Sequence, residues 1–313
     1  MKGLELARGF YEEYGAPMIH REFPEWEGVI AVGLVGAGSE CFGFDDALSR
    51  DHDFEPGFCM FIPDESIIDS RLAFRMERAY AKLPKEYGGV KRLLLQPVGG
   101  ARHGVIRTAD FYEARLGTKR QFLTNRDWLT VPEHYLAEAT NGAVFRDDAG
   151  EFTRMRRMLT DMPRDIRRKK MAGHLLLMAQ SGQYNYMRCI RHGEQAAAQL
   201  AVFEFVQHTL GVLFLLNNTY MPFYKWAFRA LRNLPLLSEM APVLEMLLTT
   251  GNDEKTAVQK QAAIEKITRA VTEELRKQGY SDESSPDLER QAYAVNDGIE
   301  DAVLRNENIL CAV

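Results

Sequence analysis

Two carboxylates spaced i, i+2, Asp51 and Asp53, follow a run of small residues, Gly36-Ala-Gly38-Ser39, with eleven residues between Ser39 and Asp51. On an extended segment, residues i and i+2 face the same side, so the two carboxylates can share one divalent cation. Magnesium suits such a site, because it takes one or two carboxylates and completes its octahedron with substrate phosphates and water. Glycines let backbone N–H groups approach a phosphate with no side chain in the way. An isolated Asp-x-Asp is commonplace, and Gly-Ala-Gly-Ser by itself is a turn. In this order they point to a Mg²⁺-dependent site for a nucleoside triphosphate, with Asp51 and Asp53 as metal ligands and catalytic residues.

The elements that must position these groups can be read from periodicity. Residues 29–35 are continuously apolar and rich in β-branched types, which predicts a buried central strand ending at the glycines. A second strand is expected from Asp51 through residues 58–62, interrupted at Pro56-Gly57, since proline cannot donate to a ladder and glycine favours a bulge. Residues 4–14 predict a helix stopped by Gly15 and Pro17. Ile68, Leu72, Met76, Ala79, Tyr80 and Leu83 recur at helical spacing and predict a helix over one sheet face. A short apolar run at 93–95, a third strand over 103–108 and a helix from Asp110 complete this half. Asp45-Asp46 lie in the connection between the first two strands, where they either orient a substrate or bond their own backbone in a turn.

The string GLVGAGSECFGFDDALSRDHDF resembles the signature of the polymerase β-like nucleotidyltransferases: an apolar residue, Gly, then Gly or Ser, a short spacer, and acidic–apolar–acidic on the next strand. Gly38-Ser39 and Asp51-His52-Asp53 match it, with His52 in the apolar slot. The wider string looks like the bacterial group called domain of unknown function 4037. The two-domain layout is similar to aminoglycoside nucleotidyltransferases. The resemblance implies transfer of a nucleoside monophosphate, AMP from ATP before other triphosphates, to a hydroxyl acceptor with release of pyrophosphate. Gly36, Gly38 and Ser39 would hold the β and γ phosphates. The signature also expects a third carboxylate on a later strand, and the position corresponding to it holds Arg107. Asp110, Glu113 or a carboxylate of the helical half such as Glu204 supplies the missing group, or the protein is a nucleotide-binding regulator or pseudoenzyme. Arg107 itself can pair with a triphosphate.

The chain has 313 residues, enough for two cores, with 46% hydrophobic and 27% charged residues, the balance of a globular protein. A net charge of −5 argues against non-specific nucleic-acid binding, so a small-molecule acceptor is favoured. Four scattered cysteines without zinc spacing suit reduced thiols in a cytoplasm. The N-terminus lacks a signal peptide's apolar core, and the longest unbroken apolar run, 211–216, is too short to span a bilayer, so no membrane partner is expected.

Beyond turn signals at Asn141-Gly142 and 147–150 the pattern becomes helical, which sets a nucleotidyltransferase-like domain at 1–147 and a helical domain at 148–313. The fold class is therefore α+β, a mixed sheet with flanking helices followed by an all-helical bundle. Arg154, Arg156, Arg157, Arg164 and residues 167–170 form a basic stretch, either a solvated face or a wall that meets phosphates. Gln183-Tyr184-Asn185-Tyr186-Met187-Arg188 follows a helix that Ser181-Gly182 would interrupt. There Tyr184 and Arg188 suit base stacking and sugar contacts, or pack in the core. Residues 196–216 are apolar on nearly every side and predict the central helix, carrying Glu204 and His208 at i, i+4. Lys225, in an aromatic segment around Pro222, is a compact charge that can reach nucleotide phosphates or snorkel outward. Two last helices, one closed by Gly279 and one capped by Ser285, suit bundle packing or a homodimer.

Overall fold

Residues 1–46, 54–92, 103–120 and 122–313 are described by the computed structural model. They fall into two units, Met1–Phe122 with Val131–Asp161, and Leu123–Thr130 with Met162–Val313. The proposed metal ligands Asp51 and Asp53, the intervening His52 and the apolar run at 93–95 lie outside the described residues.

The first unit opens with α1 (Gly3–Phe10), whose first N–H groups are met by carboxylates: Gly3 N donates to Asp45 Oδ2 at 3.0 Å. The helix does not stop at Gly15. It passes through a π-helical turn, Tyr11–Gly15, into α2 (Ala16–Glu22), with Pro17 in the first turn after the π segment. Gly15 serves packing instead, since a Cβ there would lie 2.4 Å from the Phe58 ring. The expected first strand is β1 (Ala31–Leu34), fully buried, preceded by a 3₁₀ turn that leaves Val29 outside it. The second is β2 (Cys59–Ile62), which begins only after a bend at Pro56. The amphipathic helix appears as α3 (Ser70–Ala81), capped by Asp69 Oδ1 accepting from Leu72 N at 2.7 Å. A small hairpin, β3 (Glu86–Tyr87) and β4 (Val90–Lys91), follows.

The third strand is β5 (Gly104–Arg107), leading into α4 (Thr108–Leu116). After α5 (Asn125–Thr130), which belongs to the second unit, come α6 (Glu133–Thr140), β6 (Ala143–Arg146) and α7 (Glu151–Thr160). The four-stranded sheet runs β5-β2-β1-β6 and is mixed: β1 is antiparallel to β2 and β6, while β2 and β5 are parallel. Both faces of β2 are covered. Phe58, Met60 and Ile62 join Phe10, Val32, Met76 and Tyr80 in one core. Phe61 turns the other way, stacking on Phe152 of α7 at 4.1 Å and meeting Phe111 of α4 at 5.1 Å. Each such ring, removed from water, contributes about 2–3 kcal/mol. Helix α7 therefore packs inside the first unit, and the two units divide at residue 161 where the sequence placed the boundary near 147.

The second unit is helical throughout its described residues: α8 (Arg164–Met178), α9 (Tyr186–Arg191), α10 (Gln195–Leu216), α11 (Tyr224–Leu231), α12 (Ala241–Thr249), α13 (Glu254–Lys277), α14 (Leu288–Asp297) and α15 (Ala302–Asn306). Ser181-Gly182 does not break the chain between α8 and α9, because residues Ala179–Asn185 continue as a π-helix. Gly182 is there for close approach, its missing Cβ lying 2.3 Å from the Phe205 ring. Helix α10 is long and apolar enough, by length and composition, to cross a membrane, and 72% of its most apolar window is buried in protein. It is the central helix that the sequence predicts. The cap of α14 is Asp287, not Ser285, with Oδ1 accepting from Glu289 N at 2.9 Å. Leu288, Ala292, Val295 and Ile299 face inward as expected, but Val303 on α15 is exposed.

Candidate functional site

The chain leaves β1 through two glycines in conformations closed to L side chains, Gly36 at φ +106° and Gly38 at φ +124°. Ser39 follows in helical conformation and opens a 3₁₀ turn, Glu40–Phe42, which its hydroxyl does not cap. Asn141 fixes the turn from a distance in sequence. Its Oδ1 accepts from Gly36 N at 2.8 Å and its Nδ2 donates to Gly36 O at 2.8 Å. Gly142, at φ +64°, donates its N–H to Cys41 O at 2.8 Å, and a Cβ there would meet Leu34 O at 2.1 Å. Arg156 of α7 completes the corner, donating to Asn141 O at 2.7 Å and Thr140 O at 2.8 Å. This arginine, read as part of a basic stretch, is occupied with carbonyls.

Strand pairing decides what shares this end of the sheet. The registers Gly33↔Cys59 and Cys59↔Gly104 put the end of β1 beside the starts of β2 and β5. His103 immediately precedes β5 and Glu55 stands four residues before β2, and their Nδ1 and Oε1 lie 3.2 Å apart. His103 packs on Gly57, where a Cβ would sit 2.7 Å from its ring. Asp45, by contrast, holds the start of α1 and pairs with Lys2 at 3.5 Å. That is a structural carboxylate.

Arg115 of α4 also reaches the turn, and its position was not evident from the sequence. Its Nη2 is the atom a Cβ on Gly36 would strike, at 2.5 Å. The guanidinium lies 3.9 Å from the Phe111 ring centroid, and Nη1 donates to Phe111 O at 3.0 Å. Glu138 of α6 stands 3.6 Å from Nε, too far for a hydrogen bond, and Nε is buried without a partner among the described residues. Burial presses the guanidinium toward the neutral form and Glu138 opposes it. An arginine remains charged there. The one readable signal was the i, i+4 spacing of Phe111 and Arg115 on a helix.

Arg107 does not join this group. It ends β5, paired with Ile62, at the opposite end of the sheet from Gly104, about 10 Å along the strand. Its Nη1 donates to Pro63 O at 2.9 Å and Ile68 O at 3.0 Å. Asp110 and Glu113, proposed as replacement carboxylates, are each 3.3 Å from Lys119 on an exposed face.

The other candidates belong to the second unit. Tyr184 is on the π-helix and Arg188 on α9, with Arg188 Nη1 donating to the Tyr184 hydroxyl at 2.9 Å and its guanidinium 4.8 Å from the ring. Tyr184 borders a groove of about 600 Å³ with Gln180, Gln183, Glu265, Asp287 and Glu289. Lys225 lies on α11 with Nζ 5.2 Å from the Trp226 ring. Glu204 is half exposed and reaches His208 Nε2 at 3.2 Å, and His208 Nδ1 in turn lies 2.9 Å from His174 Nδ1. Among the described residues no group of three or more His, Cys, Asp or Glu side chains could hold a metal ion.

This is a mixed sheet with a clamped glycine turn, buried at Gly36, at one end, joined in one chain to a helical unit. Residues 128–227 match the model of a family described as domain of unknown function (DUF4037). The match covers about a third of the chain, from α5 into α11, and supports the resemblance to that group. It includes Glu138, Asn141, Tyr184, Arg188 and Lys225. No curated protein and no solved structure matches the chain.

Proposed function

We propose that the first unit binds a nucleoside triphosphate, ATP before the others, and transfers its nucleoside monophosphate to a hydroxyl acceptor with release of pyrophosphate. The observation that carries this reading is the Gly36–Ser39 turn. It is buried at its base, held open by left-handed glycines, and pinned by Asn141 at the sheet end where β2 and β5 begin. With no side chain at Gly36 or Gly38, a phosphate can approach the backbone of the turn closely.

In the transfer, the acceptor hydroxyl oxygen forms a bond to the α-phosphorus, the bond from that phosphorus to the β-phosphate bridging oxygen breaks, and pyrophosphate leaves. The turn and Ser39 hold the β and γ phosphates in line. The Glu55–His103 pair is the group suited to accept the hydroxyl proton, since the carboxylate, 3.2 Å from Nδ1, orients the imidazole. A magnesium ion held by Asp51 and Asp53 would supply charge neutralisation at the phosphates. Positioning supplies most of the remaining rate, because such transfers ask little covalent chemistry of the protein. Reduced, scattered cysteines and the acidic balance fit a cytoplasmic enzyme with a small-molecule acceptor.

A second reading, a nucleotide-binding regulator or pseudoenzyme, is favoured by β5, which carries no carboxylate among Gly104, Val105, Ile106 and Arg107. Thermal shift with each of four triphosphates, with and without Mg²⁺, tests binding, and Asp51→Asn with Asp53→Asn tests the ion. A metal-dependent rise that the double variant loses, followed by pyrophosphate release in an acceptor screen, is the expected result. Binding with no pyrophosphate release from any hydroxyl acceptor would favour the regulator. Absence of any shift would overturn both.

A further inference from the structure

We infer that Arg115 is the phosphate-reading cation of the glycine turn, the side chain that receives the terminal phosphates of the triphosphate; this rests on the proposed function. Three observations converge on it. The first is place. Nη2 lies against the Gly36 backbone, in the space a Cβ would fill, so the glycine at this position admits the guanidinium as well as the turn. An anion brought against the side-chain-free backbone of Gly36 would lie within reach of the same fork.

The second is unmet hydrogen-bonding capacity. A guanidinium has five N–H donors. Among the described residues, Arg115 makes one hydrogen bond, to Phe111 O, and Nε is buried without a partner. Buried donors are normally satisfied, and the outer edge of this guanidinium, Nη1 and Nη2, keeps donors to spare beyond the bond to Phe111 O. Glu138, at 3.6 Å, neutralises the charge without supplying that bond. A phosphate offers several charged acceptors in the bidentate geometry a guanidinium matches.

The third is preorganisation. Phe111 holds the guanidinium plane from one side at 3.9 Å, and the bond to its carbonyl fixes Nη1. Little freedom is then lost when an anion arrives. Other arginines of this unit are committed: Arg107 to two carbonyls at the far end of β5, Arg156 to Thr140 and Asn141, and Arg146 to Glu27 and Asp148. They brace backbone or pair on the surface. Arg115 does neither fully.

The test is calorimetric titration of the full chain with Mg-ATP and, separately, with inorganic tripolyphosphate, comparing wild type with Arg115→Gln, Arg115→Lys and Glu138→Gln. The expected result is at least tenfold weaker binding of both ligands to R115Q and partial recovery in R115K. E138Q, which removes the competing carboxylate, should bind both at least twofold more tightly. R115K also guards against a folding defect, because it keeps the charge and most of the volume. If R115Q binds Mg-ATP as tightly as wild type, the inference is overturned and nucleotidyl transfer stands. If wild type takes tripolyphosphate but no nucleotide, and R115Q loses it, Arg115 stands and the transfer reading falls. Wild type that takes up neither ligand at millimolar concentration overturns the inference.

Discussion

Buried cations occur in both units, and they are treated differently. In the helical unit, Lys260 Nζ has three oxygen acceptors, Gln199 Oε1 at 3.0 Å, Thr250 O at 2.9 Å and Asn252 Oδ1 at 3.1 Å. Lys169 Nζ likewise meets Asn296 Oδ1 at 2.9 Å, Glu307 O at 2.7 Å and Arg305 O at 3.3 Å. Three donors, three acceptors: each ammonium is saturated, and each ties together separate helical segments. Arg115 in the sheet unit is close to the opposite case: among the described residues it has one hydrogen bond, a counter-ion at 3.6 Å and an Nε without a hydrogen-bond partner. A saturated buried cation is a strut. An unsaturated one, placed where the backbone has been opened by left-handed glycines, is waiting for an anion. The contrast separates charges that build the fold from charges left for chemistry.

The largest expected effect bears on whether the turn beside Arg115 is a rigid scaffold. Gly142→Ala would place a Cβ 2.1 Å from Leu34 O at a residue with φ +64°. Strain of that kind, added to a backbone clash, should cost about 3–4 kcal/mol and lower the melting temperature by about 10 °C. Urea denaturation would measure it. A loss below about 1 kcal/mol would mean that the corner gives way easily and cannot preorganise a phosphate site.

Next in size is the strut itself. Lys260→Met keeps an unbranched apolar stem but leaves Thr250 O without its partner and weakens the Asn252 and Gln199 contacts. Burial already pushes the Lys260 ammonium down, so removing the charge returns part of the loss. The net effect should be about 2–3 kcal/mol in chemical denaturation. If Lys260→Met proves neutral, saturation is no marker of a structural role and the comparison fails on its better-defined side.

The sheet unit was legible where a single element decides the outcome. The buried β1, the third strand and α3 follow from apolar runs and helical spacing, and α10 follows from its length. Errors arose where a residue answers to a partner far along the chain. Gly15 reads as a helix stop, yet it lies under the Phe58 ring, and the helix continues through it. Ser181-Gly182 reads as a break for the same reason, while the actual demand is the approach of Phe205. Asn141-Gly142 reads as a turn, and its two hydrogen bonds to Gly36 cross 105 positions. Arg107, which the motif's spacing singles out, sits at the end of β5 away from Gly104; Arg115, eight residues on, had only a helical neighbour to announce it. Local chemistry is written locally. The corner that gathers Gly36, Asn141 and Arg115 is made by strand order.

A pH experiment extends the comparison to histidine. His174 of α8 and the buried His208 of α10 meet with Nδ1 atoms 2.9 Å apart, and Glu204 faces the outer nitrogen of His208. If His208 gives its Nε2 proton to Glu204, His174 must donate its Nδ1 proton to His208, which leaves both rings neutral and satisfied. Burial holds His174 well below its ordinary value, with His208 and Lys170 pushing the same way. Burial also lowers His208, and Glu204 opposes it. Both folded-state values thus lie below the unfolded value, about 6.5. The pair's stabilisation is present above that pH and is lost as pH falls below it, because the unfolded chain binds protons that the folded chain refuses. Up to about 1.4 kcal/mol per pH unit is expected for each proton. Thermal melts at pH 7.5 and 5.5 should show the loss, and His174→Gln should flatten it. An unchanged slope in that variant would place the acid sensitivity elsewhere.

The smallest effect is the most informative. Arg115→Gln should change stability by under about 1 kcal/mol, because the guanidinium makes few bonds and its burial is itself unfavourable. Phe111 O loses a partner, and Glu138 loses a cation at 3.6 Å; both losses are offset by relief of desolvation at the arginine. Measured beside Lys260→Met under identical conditions, the two variants should separate by at least about 1 kcal/mol. A large loss for Arg115→Gln would make it a strut like the lysines, and its weakened phosphate binding would then report a damaged corner. A small loss together with a tenfold weaker ligand would show that the unsaturated cation contributes to binding what it withholds from the fold.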